Sequence, residues 1–451
     1  MAADPGEVRH LLRRATFAAG YDAVDRAVRA GYTATVTGLL QPTGTDAGAA
    51  RTPMPDLPIP PRPKAAKGSA QLKAYRKTLH GQTGPAVAWW VDRMAQADAP
   101  FVEKLTFAWH GHWATSVQKV KFTTLMLRQN DTLRRLGRGS FRNLAQAMIG
   151  DPALLLWLDG EKNKKQAPNE NLSREFMELF TLGHGNYTET DVRQAARALT
   201  GWRVSRKTGA SVFDPAEFDD GEKAILGRTG NFDATGFVDL VISQPASPRY
   251  LATRMWRRFA SPAPPPAASL QRMVTAYGTA HDITAMMRAL FLDPAFRATS
   301  ARNTLVKQPT EWLVGTMRTF GLRVSDLKPA DLKPADTKPA AKDPATALAA
   351  ALAALGQVPF FPPSVGGWPS GVAWLSTAAT PARIGLARRI AAVADLDPIS
   401  SVRASSRLDA LAATLGVDRW SDRTAAVLSE SITKPPELVV LGLISPEYVV
   451  C

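Results

Sequence analysis

Cysteine is almost missing. Of 451 residues only the last, Cys451, carries a thiol. That excludes a disulfide framework and a cysteine-ligated zinc site. A thiol at the chain end reads either as a free, frayed residue or as a cross-link between two chains. Long apolar runs are missing too: no stretch approaches the ~18 residues of a membrane span. The first ten residues lack a basic segment followed by an apolar one, so they do not form a secretory signal. As written, the chain reads as cytoplasmic, or as the trimmed form of an exported protein. No P-loop, dinucleotide fingerprint, Gly-x-Ser-x-Gly or His-Glu-x-x-His is found. RRM, KH, zinc-finger and bZIP signatures are equally absent. Acid is in deficit, with 40 Asp and Glu against 55 Lys and Arg, a net charge of +15. This balance favours an anionic polymer or polysaccharide as partner, or else a solvated basic surface on a chain rich in Arg and Ala. Nucleic acid rests on charge alone and ranks last.

What is present is helix-forming sequence. With 45% hydrophobic and 21% charged residues, the chain has the length and composition to bury a core. Apolar positions recur at helical spacing through most of it. The reading is a mainly α, multi-helix globular bundle with long structured loops and at most a small β-hairpin, formed by Trp202–Ser205 and Ala210–Phe213. Composition divides the chain into six segments: an N-terminal helical segment (1–40); a Pro-rich connector (41–85); a central helical core (86–202); a helical region preceded by an irregular loop (203–324); a low-complexity Lys-Pro-Ala-Asp linker (325–345); and a C-terminal helical region (346–451).

The densest chemistry lies in Pro168-Asn-Glu-Asn-Leu-Ser-Arg-Glu-Phe-Met-Glu-Leu-Phe-Thr-Leu-Gly183. At 100° per residue, Leu172, Phe176, Leu179 and Phe180 share one arc of a helix over 170–182. Glu170, Asn171, Arg174, Glu175 and Glu178 share the opposite arc. Two i,i+4 pairs follow, Glu170–Arg174 and Arg174–Glu178. The arc is either a solvated charge ladder or a buried polar site. In the second case Glu170, Glu175 and Glu178 are candidate catalytic carboxylates, with Arg174 offsetting their charge. Asn169 and Asn171 add hydrogen-bonding groups at the helix N-terminus.

The other candidate is Trp109-His-Gly-His-Trp113. His110 and His112 point to one side only if Gly111 breaks the helix; on a helix they diverge by about 200°. Together with Glu175 or Glu178 they would make a set for a divalent transition metal. The alternative is one buried and one exposed histidine. Trp109 is either a core ring or a stacking platform for a sugar. Asp159 and Asn163, in Asp159-Gly-x-x-Asn163, are further candidate substrate-binding residues; the spacing is not that of an EF-hand. The acids of Phe218-Asp-Asp-Gly-Glu-Lys223 read as an exposed turn.

These motifs together resemble the bacterial DUF1800 family. The resemblance is carried by His10-Leu-Leu-Arg-Arg-Ala-Thr-Phe17, Trp109-His-x-His112, Trp157-Leu-Asp-Gly-x-x-Asn163, the 168–183 stretch and Tyr187-Thr-Glu-x-Asp-Val192. It continues through Ala195-Ala-Arg-Ala-Leu-Thr-Gly-Trp202, Asp220-Gly-Glu-Lys-x-x-Leu-Gly227 and Pro362-Pro-Ser-Val-Gly-Gly-Trp-Pro369. It runs from about residue 8 to Tyr448. It implies a mostly helical protein whose relatives are often exported and often accompany a DUF1501-type partner. It implies no particular reaction. Phe218-Asp219 stands where the resemblance leads one to expect a His-Asp pair.

Two functions follow. One is a metal-dependent, hydrolase-like enzyme acting on an anionic or polysaccharide substrate through the Glu/Arg/Asn helix and the His-x-His element. The other is a non-catalytic binding or assembly protein for cell-envelope polymers or a protein partner.

Overall fold

The computed structural model describes residues 3–327 and 343–451. Helix covers 61% of the chain and β structure is confined to two small ribbons, so the class is mainly α, as the periodicity predicts. Capping residues set many of the helix starts. Asp4 accepts from Gly6 and Glu7 at the start of Pro5–Ala15, and Thr188 and Asp191 form a capping box at Glu189–Ala198. No helix among the described residues is long and apolar enough to cross a membrane.

Three consecutive helices, Thr83–Gln96, Pro100–His112 and Thr123–Leu136, build the centre. Trp90, Phe101, Leu105, Trp109 and Trp113 are all within 1% of full burial. Burying each large apolar side chain of this kind contributes roughly 1.5–3 kcal/mol. The buried cluster is continuous from Val8 to Val449, so N- and C-terminal segments share it. Polar groups enter the core only with partners. Glu103, 1% exposed, accepts from Trp90, Arg93 and Arg134. Glu311 receives both Lys104 and Arg258 at 2.6 Å. Such pairing is what makes a buried carboxylate tolerable.

The connector and the chain end depart from expectation. Residues 41–85 are not extended throughout: Ala47–Ala50 and Ala70–Gly81 are helical, and Thr83–Gln96 begins inside the segment. Asp46 and Ser69 supply the N-caps for the first two. The repeat linker falls largely on 328–342, outside the described residues. Cys451 is neither frayed nor exposed. It is 7% exposed, and its N–H and C=O bond to Leu305.

The expected hairpin is present, as strands β1 (Trp202–Val204) and β2 (Ser211–Phe213), with Arg203 opposite Val212. A second ribbon was not expected: β3 (Lys223–Ile225) pairs antiparallel with β4 (Arg228–Gly230). Its two-residue turn is Leu226-Gly227, both at positive φ, a geometry that suits a tight hairpin. It holds Lys223 and Ile225 inward against the Glu189–Ala198 helix.

Candidate functional site

Asparagines fix the entry to the 168–183 stretch. Asn163 is buried; its Nδ2 donates to the Ala196 carbonyl at 2.7 Å and its Oδ1 accepts from the Asn169 N–H at 2.8 Å. Asn169 Oδ1 accepts from the Asn171 N–H at 3.1 Å, and Asn171 Nδ2 donates to the Leu158 carbonyl at 3.2 Å. These amides staple the loop to the core. Asp159 sits at φ 58° and pairs with Lys119 at 2.7 Å and Lys162 at 2.6 Å.

The helix that follows is not uniform. Asn171–Glu175 is α, and Phe176–Thr181 is a π turn. The Leu182 N–H reaches the Met177 carbonyl at 2.8 Å, five residues back. Thr181 Oγ1 donates to the Phe176 carbonyl at 2.6 Å. The apolar face survives, with Leu172, Phe176 and Phe180 buried. The charge ladder does not. Its expected Arg174–Glu178 pair is absent, because the wider turn removes the i,i+4 stacking that the pair needs. Arg174 instead holds Glu189 with both terminal nitrogens, at 2.6 and 2.7 Å, and Glu170 at 3.1 Å. Its guanidinium therefore ties two helices together.

Glu178 turns to the Tyr187 hydroxyl, which donates to it at 2.5 Å. His184 lies 3.8 Å from its other oxygen. The carbonyls left open at the end of the π turn are closed from elsewhere in the chain. The Tyr250 hydroxyl donates to Leu179 at 2.7 Å, and His112 Nε2 to Phe180 at 2.9 Å. Gly183 ends the turn at φ +81°, and a Cβ there would lie 2.7 Å from the Tyr250 ring. Gly183→Ala is expected to cost about 1–2 kcal/mol from the left-handed backbone alone. Urea unfolding measures it; a variant as stable as wild type would show that the Tyr250 contact is dispensable.

Glu175 differs from its neighbours. It is half-buried, and its carboxyl has no hydrogen bond or ion pair. Burial, then the charge of Glu178, push its pKa up; Arg174 opposes them without prevailing. A carboxyl in this state is suited to exchanging a proton. Arg254, one turn beyond Tyr250 on the same helix, has its guanidinium 6.0 Å from the Tyr250 ring centroid.

The histidines lie elsewhere. The Pro100–His112 helix runs unbroken through Gly111, so the two rings diverge. His110 accepts the Phe360 N–H on Nε2 at 3.0 Å and sits among Trp90, Phe360 and Trp368. His112 lies among Trp109, Trp113 and Phe180, with Nδ1 buried and unpartnered. Burial pushes both imidazoles down to about 3. One nitrogen of each ring is engaged. Among the described residues no group of three or more His, Cys, Asp or Glu side chains could hold a metal ion. The donor set of His110, His112 and Glu175 or Glu178 therefore does not fit a metal. Trp109 is fully buried, its Nε1 donating to the Gly137 carbonyl at 2.8 Å; it offers no open face to a sugar. At the Phe218 departure a ring packs on Phe213 and under Lys223, and Asp219 and Asp220 are taken by Arg197 and Lys165.

The structure thus gathers Glu170, Asn171, Arg174, Glu175 and Glu178 on one half-buried face and leaves Trp109 and the two histidines beneath it. Tyr187, Tyr250 and Arg254 were missed. Tyr187 opens one of the quoted motifs, so its place in the sequence was visible. Tyr250 and Arg254 lie some 70 residues away and carried no local signal.

The family described as "Protein of unknown function (DUF1800)" matches residues 10–450. No protein of curated function and no solved structure matches the chain.

Proposed function

We propose that this chain, which belongs to the DUF1800 family, is a hydrolase-type enzyme in which the Glu175 carboxyl transfers the proton. The observation that carries this reading is the contrast within one motif. Arg174, Glu170 and Glu178 are engaged, whereas Glu175 is half-buried, unpartnered and shifted toward its protonated form. Folding gives such a group nothing in return, and destabilised carboxyls are characteristic of sites selected for chemistry. Glu175 would protonate a leaving oxygen as acid and take a proton from water as base, so that water adds across the bond. Glu178, fixed by Tyr187, supplies the negative charge that favours the protonated form. No step is drawn through a metal, because the histidine donors do not fit one. An anionic or polysaccharide substrate is the class that the basic chain favours.

A stability experiment tests the state of the carboxyl without a substrate. Glu175 has a folded-state pKa above its ordinary 4.5. As pH rises through 4.5 the unfolded chain releases its proton first, so the folded state loses stability up to its own higher pKa. Glu175→Gln removes that loss. The variant is expected to melt above wild type at neutral pH and level with it well below pH 4.5. Equal melting at neutral pH would show that Glu175 is solvated or paired, and the reading would fall.

A second reading, a non-catalytic binding or assembly protein for envelope polymers or a DUF1501-type partner, is favoured by the loop around Gly371–Trp374. There Val372 is 79% and Leu375 46% exposed.

A further inference from the structure

Charge on this protein is mostly paired: ion pairs tie Arg and Lys to Asp and Glu across the fold. One segment is the exception. From Leu57 to Val91, 35 residues contain no Asp or Glu. They carry Arg62, Lys64, Lys67, Lys73, Arg76 and Lys77, six cations against a net +15 for the whole chain. All six are exposed. None makes an ion pair or side-chain hydrogen bond with any described residue.

The fold arranges them. Ser69 caps the Ala70–Gly81 helix, which buries Leu72 and Leu79 against the body. With that face fixed, Lys73, Arg76, Lys77 and His80 fall at i, i+3, i+4 and i+7 on the adjoining face. They form an exposed stripe roughly 10 Å long. Arg62, Lys64 and Lys67 extend it along the connector. The two cavities of the molecule are lined by other residues, so the segment is a track rather than a pocket for one small anion.

We infer that this track binds a linear, carboxylate-bearing polysaccharide. The surface excludes other polyanions by what it lacks. No large apolar side chain between 57 and 91 is exposed, so there is no wedge for a lipid surface and no anchor for an acidic protein. Tyr75, half-buried, is the one aromatic ring before Trp89, too little to stack successive bases. What remains is a row of cations that reads charge along a flexible chain. The track stands apart from the Glu175 site and does not depend on its chemistry.

The test uses the full chain and polygalacturonate, titrated over a range of salt. Wild type is expected to bind at low salt and release at high salt. The triple variant Lys73→Gln/Arg76→Gln/Lys77→Gln is expected to lose roughly 10–100-fold in affinity. Its slope of log K against log salt should shrink by about 2, near 0.7 per cation removed. All three positions are exposed, and an unchanged melting temperature confirms the fold. Arg249→Gln/Arg257→Gln, equally exposed but off the track, and Glu175→Gln should both bind as wild type. Equal loss in the Arg249/Arg257 variant would reduce the effect to net charge and overturn the inference. So would an unaffected triple variant, or tighter binding of poly-dT, polyglutamate or anionic phospholipid vesicles than of polygalacturonate.

Discussion

Glu311→Ala is expected to destabilise the fold by about 3–5 kcal/mol, the cost of stranding buried charge. Glu311 is 4% exposed and lies 2.6 Å from both Lys104 and Arg258. Lys104 is itself 4% exposed and has no other carboxylate partner. Arg14 and Lys307 lie in the same field. Removing the carboxylate would leave several cations facing one another out of water. Urea unfolding should show the loss, and Lys104→Met/Glu311→Met should recover part of it, since the apolar pair leaves one cation fewer unpaired. A cost below about 1 kcal/mol would mean that water reaches the site.

The same residue sets an acid limit. Burial alone would raise the Glu311 pKa, but Arg258 and Lys104 outweigh it and hold the carboxyl well below its ordinary 4.5. Its contribution is therefore complete above 4.5 and is lost as pH falls from there toward the folded-state value. Glu311→Ala should flatten that part of the acid denaturation curve.

Glu175→Gln is expected to lower kcat by roughly 10²–10⁴-fold on a hydrolysed substrate, the usual worth of a general acid or base. A screen of uronate-containing polysaccharides and simple esters against wild type identifies the substrate; the variant is then compared on it. The amide keeps the size of the carboxyl, so KM should change little. The limb of the pH–rate profile belonging to Glu175 should disappear. That limb falls with rising pH if the carboxyl acts as acid and rises with pH if it acts as base. A substrate turned over equally by wild type and Glu175→Gln would remove Glu175 from the chemistry. Arg174→Gln provides the contrast: it loosens the tie to Glu189 and should act on stability before rate.

The helices were legible because burial repeats at 3.6 residues and caps are local. Asp4, Ser69 and Thr188 mark their helices within three residues of where the backbone hydrogen bonds begin. The apolar arc of the central motif was legible for the same reason. The π turn was not, since Phe176, Leu179 and Phe180 suit either winding. What widens it comes from far away: His112 and Tyr250 close the carbonyls of Phe180 and Leu179. The fate of the histidines was hidden likewise. The chain spaces them as a metal pair, and partners at 180 and 360 make them core residues. The β3–β4 ribbon escaped because three-residue strands carry too little alternation to separate from a turn.

The helix over 171–181 is out of step with its own sequence. Its π turn takes up one residue more than the α turns before it. Deleting any one residue there would relax the backbone toward regular α winding and advance everything after it by about 100°. Tyr187 would be carried away from Glu178, and Gly183 away from the Tyr250 ring. A length change that a surface loop would absorb becomes here a change of phase, felt by each side chain that meets this face.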